Sequence, residues 1–149
     1  MRSAELTMGR RWVIVLEPGE EVVSSLTRWC AGEGVTAATV DMFFGAFRSA
    51  RLIASHGQIL DPEPPLLDEV EVTYLEGIGS GTVSVVDGAP RVHLHIAAGA
   101  KDQAGAAYAG HLLSAETHYT VEIIVHEVVA PAFGLRAHPA HGVNCLIFE

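Results

Sequence analysis

Two runs of strict alternation constrain this chain more than any other feature. In EVEVTY, Val70, Val72 and Tyr74 alternate with Glu69, Glu71 and Thr73. In RVHLHI, Val92, Leu94 and Ile96 alternate with Arg91, His93 and His95. A period of two gives each run one face for a core and one for solvent, the pattern of a half-covered antiparallel sheet. DGAP, residues 87–90, is the turn expected between the strands that carry them.

The same reading extends outward in both directions. Trp12 to Leu16 is an apolar run of strand length, broken by Pro18 and Gly19. A helix follows, with Glu20 and Glu21 expected in its first turn, where carboxylates meet the positive end of the dipole. Val22, Leu26 and Trp29 give it one buried face, and Gly32 and Gly34 stop it. VTAATVDMFFGAFRSARLIAS reads as two strands joined near GAF, with Gly45 at positive φ or under a closely approaching backbone. Residues 57–68 and 99–109 read as loops, HYTVEIIVHEVV as a strand with Val121, Ile123 and Val125 on one face. APAFGLRAHPAHG reads as a further loop and VNCLIFE as a closing strand. About seven strands joined by tight turns, with one helix near the N-terminus, predict an α+β fold with a largely antiparallel sheet. At 149 residues, without repeat or linker, a single domain over 1–149 is expected.

Charge narrows the function classes. Eighteen acidic residues against nine basic ones give a net charge of −9, and only Lys101 is a lysine. Duplex DNA is bound by clustered Lys and Arg that neutralise phosphates. No such cluster exists beyond Arg10–Arg11, so nucleic acid is a disfavoured partner. No apolar run approaches the ~18 residues of a membrane span, and MRSAELTMGRR has no apolar segment behind its charges. A cytoplasmic protein without membrane association is expected. Cys30 and Cys145 lack CxxC spacing and are expected to be buried thiols.

The chain carries eight histidines, and their spacing decides which can act together. On a strand, the i, i+2 spacing sets the His93 and His95 imidazoles side by side, about 6.5–7 Å apart along one face. That suits two ligands of one cation, and equally two half-exposed histidines on a polar face. His111, beyond a loop-like AGAKDQAGAAYAG, can return to that face. His138 and His141 form HxxH around a proline and are expected in solvent. His118 and His126 share a face but lie too far apart for one ion. GIGSG lacks the spacing of a phosphate loop and runs into β-type sequence, so a bulged or closely approached strand is expected. No serine or cysteine nucleophile motif is present.

Taken in order, the pieces LEPGEEVVSSLTRWCAGEGVTAATV, GAFRSARL, GIGSGTV, HLHIAAGAKDQAGAAYAGHLL and TVEIIV resemble the plants and prokaryotes conserved (PPC) domain. The resemblance spans about residues 10–149, and its most specific part is HxH followed by GH. It implies an α+β sandwich with an antiparallel main sheet packed by helices, assembled as a homotrimer. It also implies that His93, His95 and His111 bind a divalent metal, usually zinc. Plant members join this domain to an AT-hook, an Arg-Gly-Arg-Pro motif absent here, so DNA association does not transfer with the resemblance.

The implied function is a homotrimeric metal-binding module with a regulatory or ligand-binding role. The alternative is a metal-dependent hydrolase or lyase, because three histidines leave a coordination position open for chemistry. Arg48, Arg91 or Arg136 would then hold a small anionic substrate, and Glu122 would orient a ligand. A third reading is a DNA-associated protein by family label alone.

Overall fold

A computed structural model describes residues 1–54 and 68–148. The strands are β1 (Thr7–Leu16), β2 (Ala38–Ile53), β3 (Glu69–Val86), β4 (Ala89–Ala100), β5 (Ala106–Ala130), β6 (Phe133–Ala137) and β7 (Asn144–Phe148). One helix, α1 (Val22–Glu33), lies between β1 and β2. The expected loop 57–68 lies, apart from Asp68, outside the described residues.

Four strands close on themselves. β2 pairs with β3 and β5, β3 with β4, and β4 with β5, all antiparallel. β5 makes this possible by its length of 25 residues: Ala106 to Leu112 pair with β4, and the remainder pairs with β2 and β1. The fold is therefore mostly β with a barrel-like core rather than an α+β sandwich packed by helices, while the largely antiparallel sheet and the helix near the N-terminus are as expected. Only one amphipathic helical period exists among the described residues to supply such a layer.

The barrel interior takes the inward half of each alternating strand. Phe43, Phe47, Leu52, Leu75, Val83, Leu94 and Ile123 are fully buried there, each burial being worth roughly 1.5–3 kcal/mol. Phe43 and Phe47 meet edge to face at 6.4 Å. Helix α1 adds Val22, Leu26 and Cys30 to the same core, while Trp29 meets Trp12 of β1 edge-on at 5.0 Å. Glu21 is the N-cap rather than a first-turn residue: its carboxylate accepts from Val23 N at 3.0 Å and Ser24 N at 2.6 Å. Gly34, at φ 70°, ends the helix, whereas Gly32 lies inside it.

Several strand boundaries differ from the sequence expectation, each for a local reason. β2 is one continuous strand across GAF, because Gly45 (φ 156°) lets it bend under β5; a Cβ there would stand 2.2 Å from the Thr120 carbonyl oxygen. The Asp87–Gly88 turn has positive φ at both residues, 52° and 77°, the geometry of a two-residue hairpin. The expected loop 99–109 contracts to a 3₁₀ turn, Lys101–Gln103, followed by Ala104 and Gly105 at positive φ. β6 forms inside the expected loop APAFGLRAHPAHG, pairing with β7 and, in parallel, with Val85 of β3. The expected total of seven strands holds, with β6 in place of the second half of the divided β2.

Candidate metal centre

The turn between β4 and β5 sets the site. With Ala100 opposite Ala106, every pair in this hairpin follows, and His95 falls opposite His111. His93 lies one same-face step further along β4, so the three rings gather on the outer face of the barrel. Ring centroids stand 5.2 Å apart for His93–His95, 4.9 Å for His93–His111 and 5.3 Å for His95–His111. One nitrogen from each ring can be chosen so that all three lie within 4.8 Å of one another.

β3 brings β4 into this position. Gly77, Gly79 and Gly81 alternate on the inward face opposite Ala98, Ile96 and Leu94. A Cβ at Gly79 would meet the His95 carbonyl oxygen at 2.2 Å and the Phe43 ring at 2.4 Å; one at Gly81 would meet the His93 carbonyl oxygen at 2.0 Å. GIGSG is thus a closely approached strand, as its sequence suggests, and it carries the backbone of the histidine strand.

His93 and His111 are half-buried and His95 is exposed. Burial pushes the His93 imidazole below its ordinary value, and the neighbouring His95 adds to this. His111 is lowered in the same direction by burial first, then by His93 and His95. His93 and His111 therefore favour the neutral form that a metal requires. Zinc–nitrogen bonds of ~2.0–2.1 Å in tetrahedral geometry place ligand nitrogens roughly 3.4 Å apart. From separations of at most 4.8 Å the nitrogens would close by up to about 1.4 Å to hold such an ion, within the reach of half-exposed side chains.

The other described histidines are elsewhere. His118 sits beside Tyr74 and Tyr119, with ring centroids at 5.6 and 4.2 Å, and its Nδ1 is buried without a partner. His126 pairs with Arg11 and Thr39 across the sheet. His138 and His141 stack at 4.3 Å in an exposed turn, and each Nδ1 accepts a backbone N–H, from Ala140 and Val143. Neither ring joins a third metal-ligating side chain among the described residues.

The secondary candidates separate as well. Arg48 pairs with Glu116 at 3.4 Å, Arg136 lies on β6 opposite Cys145, and Arg91 alone of the three shares the strand face of His93 and His95. Glu122 stands between Val15 and Phe44 in the ladder, with no hydrogen bond to the three rings among the described residues, so it does not orient them. The sequence does not single out a cleft of about 510 Å³ beside His95, lined by Asp41, Ile78, Ser80, Ala97 and Ala109 among others. The available signal is the pair of outward alanines one step from the histidine rung.

A small antiparallel β-barrel with a tri-histidine cluster on its outer wall defines the class of protein. A family model for the Plants and Prokaryotes Conserved (PCC) domain matches residues 3–129, and the chain belongs to that family. Among solved structures, a plant- and prokaryote-conserved protein from Pyrococcus horikoshii is similar at TM-score 0.79 and 22% identity, covering 97% of this chain and 96% of that one. A metal-containing protein from Archaeoglobus fulgidus is similar at TM-score 0.79 and 26% identity, covering 99% of each chain. A Ralstonia eutropha protein described as a candidate DNA-binding protein is similar at TM-score 0.77 and 18% identity, covering 92% of this chain and 90% of that one. No curated protein matches the sequence.

Proposed function

We propose that this PCC-family chain is a cytoplasmic, homotrimeric zinc-binding module in which His93, His95 and His111 hold the metal. The observation that carries the reading is the set of three imidazole nitrogens within 4.8 Å of one another. The Archaeoglobus fulgidus protein, described as metal-containing, adds support at 26% identity. When bound, zinc on three neutral imidazoles acts as a Lewis acid with a fourth position open to a small ligand. The protein's own residues would hold the metal with three donors carried on one hairpin.

Self-association has a surface available to it. Val13 is 63% exposed and Val15 51% exposed on β1, and Val13 stands beside Ile124. Association between copies would cover this apolar patch. Phosphate binding is less well supported. Arg10 is engaged by Glu127 and Arg11 by Asp41, so the one basic pair in the sequence is already neutralised.

The test is metal analysis of protein purified without chelator, together with sedimentation analysis. The reading expects one zinc per chain and a trimeric mass, with zinc lost in His93→Ala. Metal-free protein of monomeric mass at micromolar concentration contradicts it.

A further inference from the structure

The cleft beside His95 lies one same-face step along the β4–β5 ladder from the histidines. His95 opposes His111, and two residues along each strand Ala97 opposes Ala109. That step is about 6.5–7 Å. Ile78 continues the Ala97–Ala109 rung onto β3, and Ser80 continues the His95–His111 rung. The two alanines are exposed and their side chains stop at Cβ, which leaves a recess of about 510 Å³ between the rung and Met42. Pockets of roughly 300–1,000 Å³ are those that hold small molecules.

The charge around the recess specifies the ligand. Among the described residues, no lysine or arginine lines it. Asp41 lies at its edge, accepting from Arg11 at 3.0 Å and from Thr39 Oγ1 at 2.6 Å. A divalent ion on three neutral imidazoles keeps its charge uncompensated, so an anionic head is drawn to the metal and to no other lining group. The floor beyond is aliphatic, made by Ile78, Ala97 and Ala109. A second carboxylate at the far end would lie against this aliphatic floor without a hydrogen-bond partner there, at a desolvation cost.

We propose that this cleft holds the aliphatic tail of a small monocarboxylate whose head group takes the coordination position that the three histidines leave open. The proposal rests on the metal reading above. It assigns Ala97 and Ala109 the role of setting tail length.

Cobalt(II)-loaded protein gives a direct readout, because the visible spectrum of the ion changes when a carboxylate coordinates. Acetate, butyrate, hexanoate and adipate are titrated in turn. Affinity is expected to rise about two- to four-fold per added methylene, the effect of burying a hydrocarbon chain. Adipate is expected to bind more weakly than hexanoate. Ala97→Leu and Ala109→Leu fill the recess from exposed positions; they should keep the cobalt stoichiometry and the acetate response while losing the chain-length dependence. Cobalt uptake with affinity independent of chain length, or unchanged dependence in both variants, overturns the cleft and leaves the metal reading standing. No cobalt uptake by the wild type overturns both.

Discussion

His95 and His111 are direct cross-strand partners in the β4–β5 hairpin, with ring centroids 5.3 Å apart. This pairing places residues from two strands on one metal-sized locus, and its register is fixed by a turn centred on Gln103. A one-residue slip would send His111 to the opposite face. Inserting a single alanine after Gln103 is therefore expected to abolish metal uptake with little change in sheet content, checked by metal analysis and circular dichroism. Unchanged uptake would show that the hairpin register does not build the site.

Two glycines in different settings, Gly79 under the histidine strand and Gly32 in α1, predict opposite signs for alanine substitution. Gly79→Ala drives a methyl into the His95 carbonyl oxygen and the Phe43 ring, 2.2 and 2.4 Å away, and should cost about 3 kcal/mol, the upper end of overpacking. Gly32→Ala, inside α1 with nothing within 4 Å, should stabilise by roughly 0.5–1 kcal/mol. Urea denaturation of both variants checks the pair.

Much of this architecture is legible in the residues themselves. The alternation around Val92, Leu94 and Ile96 places His93 and His95 outward, and the structure agrees. His111 is harder, because Ala106, Ala107, Ala109 and Gly110 carry no strand preference, and pairing to β4 alone makes them a strand. β6 is hidden for a related reason: five residues between two prolines form a strand only because β7 and Val85 stand beside them. The continuous β2 misleads at Gly45, where a glycine resembling a break is a site of backbone approach. Expecting a helix-packed sandwich fails because closure of β2 through β5 buries the sheet's inner face on itself, and among the described residues one α-helix, α1, packs against that core.

The depressed imidazoles give the metal-free protein a signed pH dependence. His93 and His111 bind protons less readily when folded than the ordinary value near 6.5. As pH falls below 6.5 the unfolded chain takes up protons first, so stability declines until the folded rings are themselves protonated. The melting temperature of chelator-treated protein should fall through this window, and His93→Gln should flatten the slope. A slope identical in wild type and variant would remove these rings as its source.

A second dependence lies at lower pH. Glu127 accepts from Arg10 Nε and Nη2, both at 2.8 Å, and from the Arg10 backbone N–H at 3.1 Å. The hydrogen bonds from the guanidinium hold its carboxyl at about 2, well below the usual 4.5. Its contribution is fully present above the ordinary carboxylate range and is lost as pH falls toward 2. Glu127→Gln should lower stability near neutral pH and make the acid limb shallower, measured by denaturation between pH 7 and pH 3.

Cys30 and Cys145 should differ in reactivity. Cys30 is fully buried and desolvation pushes its thiol up to about 11, while Cys145 is half-buried in β7 rather than enclosed as its sequence suggests. An aromatic disulfide reagent should label Cys145 in the native protein and reach Cys30 only on unfolding. Equal labelling of both would show that α1 opens readily.

The central claim is that His93, His95 and His111 form one metal site and that no other described histidine substitutes for them. Zinc affinity measured by chelator competition for wild type, His95→Ala, His111→Ala and His118→Ala tests this most directly. Loss of either rung histidine should weaken binding beyond the ~10–100-fold typical of losing an outer supporting group, while His118→Ala should match wild type. Equal affinity in all four proteins, or no zinc binding by wild type, would contradict the claim.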